Sequence, residues 1–243
     1  MKKSNNYVGI DISKLTFDVA IFCNEDRKYK HHKFSNNEEG FNLLLELLTL
    51  ESICVMEASG VYYLKLATFM SDRGIAVSVI NSLIIRRFSQ MRMSRAKTDK
   101  KDAMLIAEYG KTQQPDFWHP EADYVLELKQ MFAYLDQLNK NKSTFAVQQQ
   151  TFKHNPVTSD LVGESMNLVV KTIEEEIKKI EKSMELLIRT HHTEMFDQLK
   201  SIPGLGTKTS LLLIVISGGF SKFENYKQLA SYVGISPRIF ESG

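Results

Sequence analysis

The sequence predicts an α/β protein whose first part is a mixed sheet with flanking helices and whose second part is a long helical segment. Three strand-like runs and then a helix–strand–helix–strand alternation fill residues 7–80, an order typical of a sheet covered by helices. Beyond residue 120, apolar residues recur at helical spacing, which predicts amphipathic helices. With 243 residues, the chain is long enough for two or more folded units.

The first predicted strand carries an acid. In Tyr7–Ser13, apolar residues alternate with Gly9 and Asp11, the pattern of a half-buried strand. A carboxylate in such a strand costs free energy unless a cation or a proton offsets its charge. A solvated strand face would need no such partner, and this stretch alone leaves both interpretations open.

A second candidate acid follows a later predicted strand. Glu57 directly follows an apolar run at residues 53–56, which predicts a buried strand. Ligand sites in sheets of this type lie at the carboxyl ends of the parallel strands, so Glu57 falls where a site is expected. The other predicted strands are residues 15–22, 28–35 and 75–80, and the predicted helices between them are residues 37–50 and 61–72.

Residues 86–101 are the most basic part of the chain. Basic side chains outnumber acids seven to one there, and Phe88, Met91 and Met93 are interleaved with them. This is more charge than an ordinary solvated surface needs, and it favours contact with nucleic-acid phosphates over a passive basic surface. The bases are Arg86, Arg87, Arg92, Arg95, Lys97, Lys100 and Lys101.

Two further acids stand at the end of the basic stretch. Thr98 is the predicted N-cap of a helix that runs to Lys111, and Asp99 and Asp102 share one face of its first turn. Acids in a first turn complement the helix dipole. Two carboxylates ~4 Å apart, however, repel by about 4 kcal/mol at intermediate dielectric, and a divalent cation between them would reverse that penalty.

The helical segment begins after a predicted linker between Pro115 and Pro120. One helix is predicted over residues 121–153 and a second over residues 163–200. In the second helix, apolar residues keep a heptad spacing from Met166 to Leu187, and His191 takes the next position. The two helices predict an antiparallel hairpin or a dimerising coiled coil, and we favour a role in assembly.

The segment after residue 200 contains a short glycine-rich turn. The run Ile-Pro-Gly-Leu-Gly-Thr-Lys places Gly204, Gly206 and Lys208 before an apolar helix, where backbone N–H groups can meet a phosphate. It resembles the helix-hairpin-helix turn that contacts DNA backbones. A tight turn between packed helices explains the same residues equally well. A further short helix is predicted over residues 226–233.

Composition excludes several classes of protein. The net charge of +2 predicts no partner by itself. Cys23 and Cys54 stand in apolar runs, which indicates reduced core thiols and neither a disulfide nor a metal pair. The residues after Met1 are polar, and the apolar runs are too short to cross a bilayer. We therefore expect a soluble cytoplasmic protein.

Four stretches in order resemble a known family. They are Gly-Ile-Asp11-Ile-Ser, Met-Glu57-Ala-Ser-Gly, Lys-Thr-Asp99-Lys-Lys-Asp102-Ala, and Ile-Pro-Gly-Leu-Gly followed by Pro-Arg-Ile-Phe-Glu-Ser242-Gly. Together they resemble the DEDD insertion-sequence transposases, a family related to the Piv invertases and guided by a structured bridge RNA. The resemblance covers almost the whole chain.

The resemblance implies a domain organisation and a chemistry. Residues 1–114 would form a RuvC-like, RNase H-type catalytic domain. Residues 115–200 would form a helical coiled-coil segment with the linker at 115–120, and residues 201–243 an incomplete C-terminal transposase domain. The family's four acids bind Mg²⁺, with Mn²⁺ as a substitute, and its serine becomes covalently joined to DNA. The matching residues are Asp11, Glu57, Asp99, Asp102 and Ser242.

The family also implies partners. These are donor DNA, target DNA, the bridge RNA and further copies of the chain in a dimer or tetramer, where the acids of one subunit and the serine of another complete each site. No histidine neighbours Ser242, so activation of its weakly nucleophilic hydroxyl by metal is the simpler expectation. Family members continue past this serine, so the chain is expected to be truncated and inactive in recombination.

Alternative functions remain at this stage. A metal-dependent junction-resolving nuclease would use only the four acids, and a truncated form would bind nucleic acid without catalysis. The run Gly-Ile-Asp-Ile-Ser at residues 9–13 also resembles a phosphate-binding turn of actin-like ATPases and sugar kinases. Such proteins need two duplicated halves, whereas this chain has one half and a helical segment.

Overall fold

A computed structural model describes residues 6–23, 27–58, 60–92 and 98–236. The chain divides into two compact units, Met1–Pro120 and Glu121–Gly243. Each unit has its own hydrophobic core.

The first unit is built on a mixed sheet with the strand order β3-β2-β1-β4-β5. The first three strands form an antiparallel meander, whereas β4 runs parallel to β1 and β5 runs parallel to β4. The predicted mixed sheet is therefore confirmed. The strands are β1 (Asn6–Ile12), β2 (Thr16–Cys23), β3 (Lys28–Ser35), β4 (Ser52–Ala58) and β5 (Ala76–Asn81).

Helices cover both faces of this sheet. Val8 and Ile10 of β1 pack in a core with residues of α1 and α2, whereas Tyr7, which points to the opposite face of the same strand, packs in a second core with residues of α3 and α4. The helices are α1 (Glu38–Leu45), α2 (Leu64–Ser71), α3 (Ser82–Met91) and α4 (Asp99–Gln113).

The first two helices are shorter than the sequence predicts. In α1, Asn37 caps the start by accepting a hydrogen bond from the Gly40 N–H at 3.0 Å. The helix ends early because the Leu47 N–H bonds to the Leu44 carbonyl at 2.9 Å, which closes a tighter turn. The apolar periodicity of the sequence continues beyond Leu45, whereas the helix ends there.

The predicted linker at residues 115–120 packs on the first unit. The Trp118 N–H donates to the Val77 carbonyl of β5 at 2.7 Å, and the Ser78 hydroxyl donates to the Pro115 carbonyl at 3.3 Å. The Trp118 ring packs against the core beneath α1 and α2. This segment therefore covers the open edge of β5.

Gly9 allows α4 to lie against β1. A Cβ built on Gly9 would stand 2.0 Å from the Ala103 carbonyl oxygen and 2.3 Å from the Ala107 nitrogen, both of them backbone atoms of α4. No side chain fits there, so the contact between strand and helix is made by backbone. This close approach sets the position of the first turn of α4 relative to β1.

The second unit is helical in its described part. Its helices are α5 (Asp123–Phe152), α6 (Asp160–Ser201), α7 (Thr207–Ser217) and α8 (Tyr226–Tyr232). The first two run antiparallel, with Lys142 Nζ 2.6 Å from Glu174 Oε1 and Gln149 Nε2 2.9 Å from Asn167 Oδ1. The intramolecular hairpin is thus present, and a coiled coil between chains stays a prediction.

The helical geometry of α6 is interrupted directly after His191, the position that the sequence assigns to the end of the heptad pattern. The backbone leaves helical geometry at His192, where φ is −144° and ψ is 44°. His191 stacks on the Tyr124 ring with centroids 3.9 Å apart, and the Tyr124 hydroxyl is hydrogen-bonded to His192 Nε2 at 2.7 Å. Both histidines therefore contact α5 through the side chain of Tyr124.

Two negative expectations concern cysteines and membranes. Cys54 is buried and Cys23 is half-buried, and both are free thiols. In the part of the chain that the structure describes, no helix is both long and apolar enough for a bilayer crossing.

Replacing Gly9 by alanine should destabilise the first unit. The added Cβ would collide with backbone atoms, which cannot rotate away, so we expect the free energy of unfolding to fall by about 2–3 kcal/mol or more. Trp118 is the chain's single tryptophan and packs in this unit. Urea unfolding followed by its fluorescence measures the change.

Gly163→Ala is the matched control. Gly163 lies in α6 with no heavy atom within 4 Å of an added Cβ, so alanine there should stabilise the helix by about 0.5–1 kcal/mol without moving the Trp118 transition. A wild-type unfolding midpoint for Gly9→Ala would contradict the close approach of α4.

Candidate active site

Charged residues form a row across the sheet. Asp11 of β1 pairs directly with Asp18 of β2, and Asp18 pairs with Lys33 of β3. On the other side, the parallel register of β1 and β4 brings Glu57 beside Asp11. Directly paired side chains point to the same face, and Gly9, two residues before Asp11, shows that this is the face covered by α4.

The first turn of α4 adds two more acids. Thr98 accepts a hydrogen bond from the Lys101 N–H at 3.3 Å, so the predicted N-cap is confirmed. Asp99 and Asp102 both lie in this first turn. Because α4 packs on β1, the turn belongs to the same face of the sheet as Asp11.

The pKa of Asp11 shows that these charges act on one another. It is raised from 3.8 to about 6. Burial is the largest cause, because it disfavours the charged carboxylate. Like charges add to the effect and are, in decreasing order, Asp102, Glu57, Asp99 and Asp18. We call Asp11, Glu57, Asp99 and Asp102 the acid edge.

Carboxylates are the ligands that Mg²⁺ and Mn²⁺ prefer, so the residue types of the acid edge fit the predicted cation. Among the described residues, however, no three Asp, Glu, His or Cys side chains are gathered in a metal-binding arrangement. The raised pKa of Asp11 and the lack of a described ligand cluster are compatible because they depend on different distances. Repulsion between charges acts over ~10 Å, whereas a shared ion requires oxygens within about 2–3 Å of it. The acids therefore share one edge without forming a closed ligand set, and the metal site stays a prediction.

Asp18 is a fifth acid that the sequence analysis missed. It is only 5% exposed and is held by two bases from β3. His31 Nε2 lies 2.7 Å from Asp18 Oδ1, and Lys33 Nζ lies 3.2 Å from Asp18 Oδ2. Hydrogen bonding to Asp18 is the largest cause that raises the pKa of Lys33. The signal was present in the sequence, because Asp18 interrupts an apolar strand just as Asp11 does.

The predicted basic residues divide by environment. Arg92 pairs with Glu108 of α4, and its guanidinium lies 5.5 Å from the Phe88 ring centre, so it joins α3 to α4. Phe88 itself is buried against Tyr109. Arg95 and Lys97 lie outside the described residues. The other described bases of this set, which are also exposed, are Arg86 and Arg87 on α3 and Lys100 and Lys101 on α4.

The glycine-rich turn of the second unit joins α6 to α7. Gly204 has a φ of +91°, a conformation that glycine adopts without strain, and Gly206 is the N-cap of α7. Lys208 is exposed in the first turn of that helix. The turn has the predicted local shape, its contact with DNA stays a prediction, and Ser242 lies outside the described residues.

Two descriptions of known protein families match this chain. A family described as "Transposase", the DEDD type of IS110, matches residues 8–152. This range includes Asp11, Glu57, Asp99 and Asp102. The chain belongs to the IS110 family of transposases. A second IS110 description, "Transposase IS116/IS110/IS902 family", matches residues 197–243.

Two curated relatives match nearly the whole chain, and a third matches about a third of it. The "Pilin gene-inverting protein" of Moraxella lacunata is 32% identical over 250 residues, which covers 99% of this chain and 74% of that protein. The protein of the same name from Moraxella bovis is 29% identical over 259 residues, with the same coverage. An IS110 insertion-element protein of Streptomyces coelicolor is 30% identical over 86 residues, or 35% of this chain.

Membership in the IS110 family confirms the resemblance that the four motifs indicate. It also establishes the class of activity: enzymes of this family act on DNA and cleave it in recombination. The expectation of a DNA substrate is thus confirmed at the level of the family.

Replacing Asp11 by asparagine should stabilise the metal-free protein in a pH-dependent way. The folded-state pKa of about 6 lies above the ordinary 3.8, so the stability that protonated Asp11 provides is fully present below about pH 4 and is lost as the pH rises through 6. At pH 7.5 we expect Asp11→Asn to raise the free energy of unfolding by on the order of 1–2 kcal/mol, allowing for solvent screening.

The gain should be smaller at pH 4.5, where the carboxyl of the folded wild type is already mostly neutral and mainly the unfolded chain carries the charge. Urea unfolding with EDTA, followed by Trp118 fluorescence, measures both values. Asp72→Asn, at an exposed position after α2, is the control without a pH-dependent gain. Equal effects of Asp11→Asn at the two pH values would contradict the raised pKa.

Proposed function

We propose that this chain cuts and rejoins DNA for an insertion sequence, guided by a structured RNA, with a Mg²⁺-binding acid edge and a serine nucleophile. The observation that carries the proposal is geometric: Glu57 of β4 lies beside Asp11 in the sheet register, and the first turn of α4, with Asp99 and Asp102, packs on the same face of the sheet. Burial and the neighbouring acids raise the pKa of Asp11, so a positive charge at this position would stabilise its carboxylate. A divalent cation is the partner that the family chemistry provides.

The acid edge suits phosphodiester chemistry. Asp11, Glu57, Asp99 and Asp102 would hold the ion. Bound Mg²⁺ would neutralise the phosphate oxygens and stabilise the leaving oxygen. Ser242 attacks phosphorus, so that a bond forms between its oxygen and the phosphorus while the bond to one DNA oxygen breaks. Attack by a hydroxyl of the second DNA then reverses the exchange and frees the serine.

The relatives support the recombination part of the proposal. Two proteins that match 99% of this chain are named for inverting a pilin gene. An inversion and a transposition both require that two DNA segments are cut and joined to new partners. We therefore propose that this chain also cuts and rejoins DNA and does not simply hydrolyse it.

Exposed basic residues are proposed to hold the nucleic acids. Arg86, Arg87, Lys100 and Lys101 are exposed in the two helices packed on the acid-edge face, where they can neutralise phosphates of DNA or guide RNA. The turn with Gly204, Gly206 and Lys208 is proposed to contact a DNA backbone. Pairing with the guide RNA would choose the DNA sites, because phosphate contacts carry no sequence information.

We also propose a homo-oligomer, a dimer or a tetramer, in which the acids of one subunit act with Ser242 of another. The four acids all lie in the first unit, and Ser242 follows them far along the chain. Because the acids belong to one unit, a second candidate is a metal-dependent junction-resolving nuclease that needs the first unit alone. A form that binds nucleic acid without cleaving it would rely on the exposed bases.

Single neutralising substitutions in the acid edge should abolish DNA cleavage. Asp11→Asn and Glu57→Gln keep the side-chain volume and remove the charge that would hold a cation, so we expect a loss of at least about a hundredfold in rate. The measurement is cleavage of donor DNA with the cognate RNA and Mg²⁺. Asp72→Asn, remote from the acid edge, should cleave as the wild type does, and full activity of Glu57→Gln would exclude the site.

Replacing Ser242 by alanine distinguishes recombinase from nuclease. A serine recombinase forms a covalent protein–DNA adduct that persists on a denaturing gel, and Ser242→Ala should lose the adduct while still binding DNA. Ser236→Ala, at an exposed serine nearby in sequence, should retain it. Nicked DNA from the wild type without any adduct would identify the hydrolytic nuclease instead.

A further inference from the structure

The acid edge contains a cation of the protein's own. Lys33 Nζ lies 3.2 Å from Asp18 Oδ2 and 3.8 Å from Asp99 Oδ2. Lys33 therefore joins the edge strand β3 to the first turn of α4. It contacts one of the four acids proposed to bind metal.

The buried Asp18 holds the ammonium group of Lys33 in position. Asp18 is buried, and a buried carboxylate is stable only with partners for its charge. His31 satisfies one oxygen at 2.7 Å, and Lys33 satisfies the other. Because the sheet register pairs Asp18 with Lys33, the lysine is held more firmly than in an exposed ion pair between flexible side chains.

Asp99 is the more exposed partner in this arrangement. Its side chain is 69% exposed, and its carboxylate is engaged by Lys33 in a structure where no three described acids gather as metal ligands. An ammonium group has three donors, and Asp18 needs only one of them. Lys33 can therefore stay anchored while Asp99 changes partner.

We propose that Lys33 is a positioning residue that acts as a built-in counter-cation: it holds Asp99 before metal binds and competes with the divalent cation for that carboxylate. This inference rests on the proposed metal-binding function of the acid edge. It adds that the affinity for metal is limited by a positive charge within the site. Removing that charge should strengthen metal binding, which is the opposite of what loss of a ligand or general destabilisation would do.

The test is Mn²⁺ binding to the metal-free protein without DNA, followed by electron paramagnetic resonance of the free ion. Lys33→Met and Lys33→Gln should bind Mn²⁺ roughly three- to tenfold more tightly, since a unit charge next to a ligand is removed at a partly exposed site. Lys33→Arg keeps the charge and should bind as the wild type. Lys30→Met is the matched control on β3, because Lys30 pairs with Ile21 and so lies on the opposite face.

Hydrogen exchange without metal gives a second readout. In Lys33→Met and Lys33→Gln, amides in the first turn of α4 should exchange faster than in the wild type, because Asp99 has lost its tie to β3. Lys33→Arg should restore slow exchange. Unchanged exchange in both neutral variants would overturn the holding role.

The outcomes separate this inference from the proposed function. Mn²⁺ binding by the wild type with equal or weaker binding by the two neutral variants would overturn the role of Lys33 and leave the metal site intact. Absence of Mn²⁺ binding in the wild type and in every variant would overturn the metal site, and the inference with it.

Discussion

The structure of the first unit depends on one constraint: a carboxylate in the central strand lies under a helix. Asp11 cannot be charged there without cost, as its raised pKa of about 6 shows. Gly9 creates the constraint, because it lets the backbone of α4 approach to a distance that no side chain would permit. The same approach brings Asp99 and Asp102 to the face where Asp11 lies. Packing and electrostatics are therefore set by neighbouring residues of one strand.

A second buried carboxylate lies in the meander formed by β1, β2 and β3. It is Asp18, one strand away from Asp11, and there β3 supplies an ammonium group from Lys33 and a hydrogen-bonding partner from His31. The two neighbouring acids therefore differ in their surroundings. Asp18 is paired within the sheet, whereas Asp11 has other acids around it. This difference explains why one carboxylate is structural and the other is a candidate for chemistry.

The sequence predicts much of the fold because its patterns are local. β3 is predicted with its observed bounds, and Thr98 is correctly identified as the cap of α4. Helix ends are less predictable, since α1 stops at a hydrogen-bonded turn that apolar periodicity does not reveal. His192 shows a second limit: the break in α6 accompanies contacts with Tyr124, which is distant in sequence. The role of Lys33 could not be predicted at all, because it depends on which residues three strands place side by side.

The two borders of the sheet differ in how they are closed. At β5, the backbone of Trp118 takes up a strand hydrogen bond, and at β3 the exposed Lys28 and Lys30 line the last strand. A covered border and a charged border both resist the addition of a foreign strand. The sheet therefore resists lengthening by another molecule, which protects the first unit against aggregation through its edges.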